Sequence, residues 1–223
     1  MSANVLKMIA LITMTIDHVG LMLLPDYEWM RAVGRIAFPI FAFMIAEGCR
    51  YTRDRKRYLS QIAILGIGMQ IVLFVVSGSL YQSVFISFTL AIILIYMIDR
   101  ARNKQQIWAW ICVIVTVLAI IFLCLILPKI LYETDYDIDY NIVGILIPVV
   151  CYFTKNKKSR IAVFAAGLIA LSVFYGGVQW FCLFSLPLIA MYNYKRGKLK
   201  LKNLFYFYYP AHLCVIFVIG GLL

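Results

Sequence analysis

The spacing of the charges decides how this chain can fold. Apolar runs of about 20 residues, the length a helix needs to cross a hydrocarbon core of roughly 30 Å, recur along the sequence and are separated by clusters of lysine and arginine. Inside a bilayer each backbone N–H and C=O must be satisfied within the spanning element, so runs of this kind fold as helices. The expected fold is therefore all-α: a polytopic transmembrane helix bundle of about nine spans, with eight to ten as the range. The spans fall at residues 5–24, 32–50, 58–77, 83–98, 107–127, 141–153, 160–173, 177–193 and 204–222. Several are shorter than about 20 residues, a length that suits half-helices, re-entrant pieces or tilted segments.

The loops alternate in charge. Residues 50–58 carry Arg50, Arg53, Arg55, Lys56 and Arg57; residues 99–104 carry Arg100, Arg102 and Lys104. Residues 154–160 carry Lys155, Lys157, Lys158 and Arg160, and residues 194–203 carry Lys195, Arg196, Lys198, Lys200 and Lys202. The loops between them, at 25–29, 77–83, 128–140 and 174–179, are neutral or acidic. Basic loops stay in the cytoplasm, which puts the N-terminus inside and, with nine spans, the C-terminus outside. The net charge of +11 then marks cytoplasmic loops, and nucleic acid is not an expected partner. The first run contains an acid and a histidine and lacks an A-x-A site, so it reads as a span and not as a cleaved signal. No phosphate-binding loop pattern occurs, which argues against an ATP-driven pump. The six cysteines sit in or beside apolar segments without metal-ligand spacing, so no metal is expected. Residues 1–223 read as a single integral membrane domain in the cell membrane, with oligomers allowed.

Few charges remain once the loops are set aside. The first span holds Asp17 and His18 within ITMTIDHVG, the second holds Arg35 and Glu47, and the last holds His212. An ionisable residue inside a bilayer is costly and marks a functional site by default. Adjacent helix residues point about 100° apart, so Asp17 and His18 need separate partners. Arg35 is the candidate for Asp17, because a short loop joins the first two spans and an arginine–carboxylate contact satisfies both charges. At 1.5 Å per residue, His18 lies about 20 Å and His212 about 12 Å from the inner edge, so the two histidines are expected to be offset and need not touch. Glu47 and Arg50 are helix neighbours three apart and can pair. Two mechanisms fit these residues: a proton-coupled transporter of small molecules with Asp17 and His18 as relay, or a group-transfer enzyme with His18 as general base. A scaffold without chemistry leaves the cost of the buried charges unexplained.

Several motifs carry a family resemblance. They are Ile16, Asp17, His18 and Gly20 in the first span, GRIAFPIFAFMIAEG at 34–48, Glu47-Gly48 with Arg50-Tyr51-Thr52-Arg53, YDIDYNIVGILIP at 136–148, and FYYPAHL at 207–213. Together they resemble the TraX family, whose namesake acetylates the N-terminus of conjugative pilin, and more loosely the wider transmembrane acyltransferases. The resemblance implies an acetyl-CoA-dependent acyltransferase with acyl-CoA as co-substrate and no permanently bound cofactor. It implies that Arg50, Arg53, Arg55, Lys56 and Arg57 hold the CoA phosphates. His18 would deprotonate an amine or hydroxyl acceptor, with Asp17 beside it in the catalytic group. Arg35, Glu47, Tyr209 and His212 would organise the site. The acceptor stays open among a pilin-like peptide amine, a glycan and an envelope polymer. The acidic segment 131–141 would meet a cationic or hydroxylated acceptor, or is an ordinary solvated loop.

Overall fold

The computed structural model describes residues 1–197 and 202–221. Lys198 and Lys200 of the basic loop at 194–203 lie outside the described residues. The helices are α1 (Ala3–Met22), α2 (Glu28–Gly34), α3 (Ala37–Tyr51), α4 (Arg55–Ser77), α5 (Val84–Lys104), α6 (Ile107–Ile121), α7 (Leu127–Ile130), α8 (Asn141–Phe153), α9 (Lys157–Tyr175), α10 (Ser185–Ala190) and α11 (Lys202–Gly220). A π-helical stretch, Phe122–Ile126, joins α6 to α7, and a 3-10 segment, Gly177–Phe184, leads into α10. Among the described residues the only extended pairing is one bridge between Gln82 and Ile138. Among the described residues six helical stretches are long and apolar enough to cross a membrane: Ala3–Met22, Glu28–Tyr51, Arg55–Ser77, Val84–Lys104, Ile107–Ile130 and Lys157–Tyr175. Three shorter apolar helices, Asn141–Phe153, Gly177–Ala190 and Phe207–Gly220, fall where the other expected spans lie. The protein is an all-helical, multi-pass membrane protein.

The chain divides into two compact units, Met1–Met44 with Asn156–Leu223, and Ile45–Lys155. In the first, α1 packs on α2 and α11, while α9 packs on the 3-10 segment and α10. Without a hydrophobic drive between helices in lipid, close approach depends on small residues at the contact. Gly20 of α1 and Gly34 of α2 supply it. A Cβ at Gly20 would meet Met30 Cβ at 2.6 Å, and a Cβ at Gly34 would overlap the Asp17 side chain. Thr13 and Thr15 turn their hydroxyls back onto the carbonyls of Ile9 and Leu11, at 3.0 and 2.9 Å, so these polar groups cost little in an apolar helix. Phe43 packs edge-to-face against Phe164 and Tyr192.

The second unit is built on α5, which packs against α4, α6 and α8 and buries Phe88, Ile92 and Ile95. Asp54 starts α4 by accepting the Arg57 N–H at 2.9 Å, and Gly78 ends it in the left-handed conformation, at φ 67°. The π stretch has a local cause. Pro128 has no N–H for the carbonyl of Cys124, four residues back. That carbonyl is taken instead by the side-chain amide of Asn141 at 3.1 Å. Large apolar side chains such as Ile64, Val75, Trp108, Ile114 and Val173 lie on the outside of the helices, as a lipid-facing surface requires.

Replacing Gly20 with leucine is expected to lower the thermal midpoint of the protein in detergent by several degrees, because the added side chain must push α2 away. Gly68→Ala, at a helix position with nothing within 4 Å, is expected to leave the midpoint unchanged or raise it. Unfolding followed by a thiol- or tryptophan-based fluorescence melt checks both.

Candidate functional site

The polar residues of α1 reach two different neighbours. Asp17 faces α2, where Arg31 and Arg35 stand four residues apart on one side of the chain. Arg31 Nη1 lies 2.9 Å from Asp17 Oδ2, and Arg35 Nη2 lies 3.1 and 3.4 Å from the two carboxylate oxygens. One carboxylate is thus clamped between two guanidiniums, and the Arg35 Nη1 donates to Gln179 Oε1 at 3.4 Å. The carboxylate can sit there because Gly34, between the two arginines, has no side chain to exclude it. The partner expected for Asp17 from sequence, Arg35, is present, and Arg31 joins it. The signal for Arg31 was its spacing of four from Arg35 in WMRAVGR.

His18 faces α11 instead. Its Nδ1 lies 2.8 Å from Nε2 of His212. The ring planes are 25° apart with centroids 5.0 Å apart, so the nitrogens meet edge to edge, near the plane of both rings. This overturns the expected offset between the histidines. The expected offset holds only for helices that start at one level and run parallel to the membrane normal. A difference of about 8 Å along the axes is taken up once helices tilt or start at different heights. His212 Nδ1 lies 3.0 Å from the backbone oxygen of Tyr208, one turn back. The Tyr208 hydroxyl meets that of Thr15 at 2.8 Å. Tyr209 closes the cluster edge-on, 5.2 Å from the His212 ring and 6.0 Å from the His18 ring. Thr15 and Tyr208 escaped the sequence reading, although Thr15 is three residues from His18 and Tyr208 four from His212, the spacings that share a helix face.

The other sequence candidates lie in the second unit. Glu47 Oε1 is 3.6 Å from Arg50 Nη1. Arg50 Nη2 also donates to the Tyr152 and Thr154 carbonyls at 2.5 and 3.3 Å, at the C-terminal end of α8. A guanidinium there complements the carbonyls that a helix end leaves open. Arg55 Nη2 lies 2.7 Å from Asp99 Oδ2, which also accepts the Tyr152 hydroxyl at 2.6 Å. Asp99, expected in the loop at 99–104, stands in the last turns of α5. Arg53, Lys56 and Arg57 present exposed side chains on the same basic turn. The acids of the segment 131–141 bind within the protein. Asp135 accepts the Ser79 hydroxyl and the Leu80 N–H at 2.5 and 2.8 Å, and Asp139 accepts the Tyr81 hydroxyl at 2.9 Å. Those two bonds hold the Asp135 carboxyl below the usual carboxylate range.

A multi-pass helical protein with a hydrogen-bonded histidine pair, set beside a carboxylate held by two arginines, is the class these features define. The chain belongs to the TraX family, whose model matches residues 2–220. Over 70 residues it is 39% identical to a probable fimbrial assembly protein FimC, serogroup H1, of Dichelobacter nodosus, a stretch that covers 30% of this chain and 29% of that protein. Over 68 residues it is 43% identical to the uncharacterized protein RP591 of Rickettsia prowazekii (strain Madrid E), covering 30% of this chain and 25% of that protein. The matched stretches thus span less than a third of either relative's length. No solved structure matches.

Asp17→Asn is expected to destabilise the protein by about 3–5 kcal/mol, since it leaves two guanidiniums around a neutral amide. Combining it with Arg31→Gln should recover part of that loss. A double-mutant cycle read by chemical denaturation measures the coupling, and simple additivity would show that the clamp does not hold the helices together.

Proposed function

We propose that this protein is a membrane-embedded acyltransferase, an acetyltransferase in particular. It moves an acyl group from acyl-CoA to an amine or hydroxyl acceptor at or across the membrane, with His18 as general base. The observation that carries the proposal is the His18–His212 hydrogen bond at 2.8 Å, between two largely apolar helices. An imidazole held by a second imidazole is oriented for proton transfer, and proton transfer is what an acyl acceptor requires before it attacks a thioester. Membership of the TraX family supports this reaction class. The resemblance to a probable fimbrial assembly protein supports a pilin-like polypeptide amine as the first acceptor to try.

Asp17, Arg31 and Arg35 hold α1 against α2 and so set the direction of His18 on α1. Arg53, Lys56 and Arg57 are the cations we assign to the CoA phosphates, with charge-assisted hydrogen bonds as the binding force. Arg50 and Arg55 contribute there by shaping the turn, through α8 and Asp99. The cell membrane is the site of action, with the basic loops and the N-terminus in the cytoplasm and nine apolar segments across the bilayer.

Purified protein in lipid, given acetyl-CoA and a peptide amine, is expected to release free CoA thiol, and His18→Ala is expected to cut that rate by about 10²–10⁴-fold at a temperature below its melting midpoint, where the protein is still folded. Full activity in His18→Ala would remove His18 as the base. Solute flux in liposomes without acyl-CoA would instead favour the transporter. Single cysteines introduced at Lys56 and Lys155 are expected to resist a membrane-impermeant maleimide in intact cells, and one introduced at Tyr132 to react. The opposite pattern would invert the topology.

A further inference from the structure

The hydrogen bonds around the two histidines determine where their protons are. A backbone carbonyl can only accept. The contact of 3.0 Å between the Tyr208 oxygen and His212 Nδ1 therefore places a proton on that nitrogen. In a neutral imidazole the other nitrogen is then an acceptor. That nitrogen, Nε2, lies 2.8 Å from His18 Nδ1, so His18 Nδ1 must be the donor. The remaining ring nitrogen of His18, Nε2, is left with its lone pair. We infer that His212 is a positioning residue: anchored by the Tyr208 carbonyl, it locks His18 in the Nδ1–H tautomer and leaves His18 Nε2 as the basic atom.

The neighbouring groups keep this arrangement in place. The Thr15 hydroxyl donates to the Leu11 carbonyl at 2.9 Å, so at the 2.8 Å contact it is the Tyr208 hydroxyl that donates to Thr15. This bond ties the turn of α11 that bears the anchoring carbonyl to α1, the helix that bears His18. The Tyr208 ring lies nearly parallel to that of His212, at 11° and 5.3 Å, and Tyr209 stands across it at 78°. Rings walled in this way do not turn over freely, and turning over would exchange the nitrogens.

The assignment of the base atom rests on the acyltransferase reading, whereas the tautomer does not. In that reaction the acceptor amine forms the new C–N bond at the thioester carbon. His18 Nε2 takes the proton that the amine gives up. The C–S bond then breaks, and the proton passes from Nε2 to the CoA sulfur, so that amide and free thiol leave. While His18 is protonated its Nδ1–H still points at His212 Nε2, and the chain from His18 through His212 to the Tyr208 carbonyl polarises in one direction. His212 thus fills the place that a carboxylate holds in a Ser-His-Asp triad, without adding a charge to the bilayer.

The protein has two histidines, so selective ¹⁵N-histidine labelling yields four ring nitrogens. In the full chain in nanodiscs, NMR is expected to show both Nδ1 atoms protonated and both Nε2 atoms bare. In His212→Gln the amide oxygen can still accept, so His18 should stay in the Nδ1–H form. In His212→Phe it should become a mixture of tautomers. Acyl transfer should follow the same order: about a 100-fold loss of kcat in His212→Phe, recovered to within about 10-fold in His212→Gln, with KM for acyl-CoA unchanged. A protonated His18 Nε2 in the unsubstituted protein overturns the inference, whether or not acyl transfer is seen. The Nδ1–H tautomer in a protein that transfers no acyl group would uphold the histidine lock and defeat the acyltransferase reading. If His212→Phe fails to fold, the unsubstituted spectrum and His212→Gln decide the matter.

Discussion

A polar side chain placed among lipid-facing helices must be answered by another helix, and the first unit is arranged around that requirement. Every polar group of α1 from Thr13 to His18 has its partner in place. Thr13 and Thr15 use the carbonyls of their own helix, Asp17 uses the arginines of α2, and His18 uses the histidine of α11. A single charge at the centre of a spanning helix costs about 2.5–3.5 kcal/mol on insertion scales. Asp17, Arg31 and Arg35 lie nearer the ends of their helical stretches, where the cost per charge is smaller, but three such charges without contact would still weigh against insertion. The clamp offsets that cost, and Gly20 and Gly34 let the backbones come close enough for it to form.

This arrangement separates two tasks that the adjacency of Asp17 and His18 suggests are one. The carboxylate has no part in the hydrogen bonds of the imidazole. It is consumed by the ion pairs that fasten α1 to α2, while the imidazole on the neighbouring face meets a neutral partner. A strong electrostatic contact thereby supplies rigidity, and a directional, uncharged hydrogen bond supplies orientation. In the second unit the arginines divide in a similar way. Arg50 closes the end of α8 and Arg55 pairs with Asp99, whereas Arg53, Lys56 and Arg57 point outward.

Much of the site was legible because helical geometry is periodic and the bilayer makes charges rare. Asp17, His18, Arg35 and His212 stood out as the polar exceptions within apolar runs, and the 100° between neighbours already assigned Asp17 and His18 to different partners. Thr15, Arg31 and Tyr208 were recoverable from spacings of three and four. Gln179 and Tyr152 were not, since each meets its partner across more than 50 residues of chain, and nothing local marks them. Asp99 was hidden by a different cause: an acid beside an arginine at the end of an apolar run looks like solvated loop, while the helix in fact continues to Lys104.

The sequence by itself determined that the chain is a set of apolar helices, where charge interrupts them, and which few ionisable groups lie inside them. It did so because hydrophobic length and charge are local properties that each segment carries without its neighbours. Only the tertiary structure decided that His18 touches His212, that two arginines share Asp17, and which nitrogen of each imidazole faces the other. Those outcomes depend on how far one helix is shifted and tilted against the next. Helix offset is set by side-chain packing and small-residue contacts between segments distant in the chain, and no single segment encodes it.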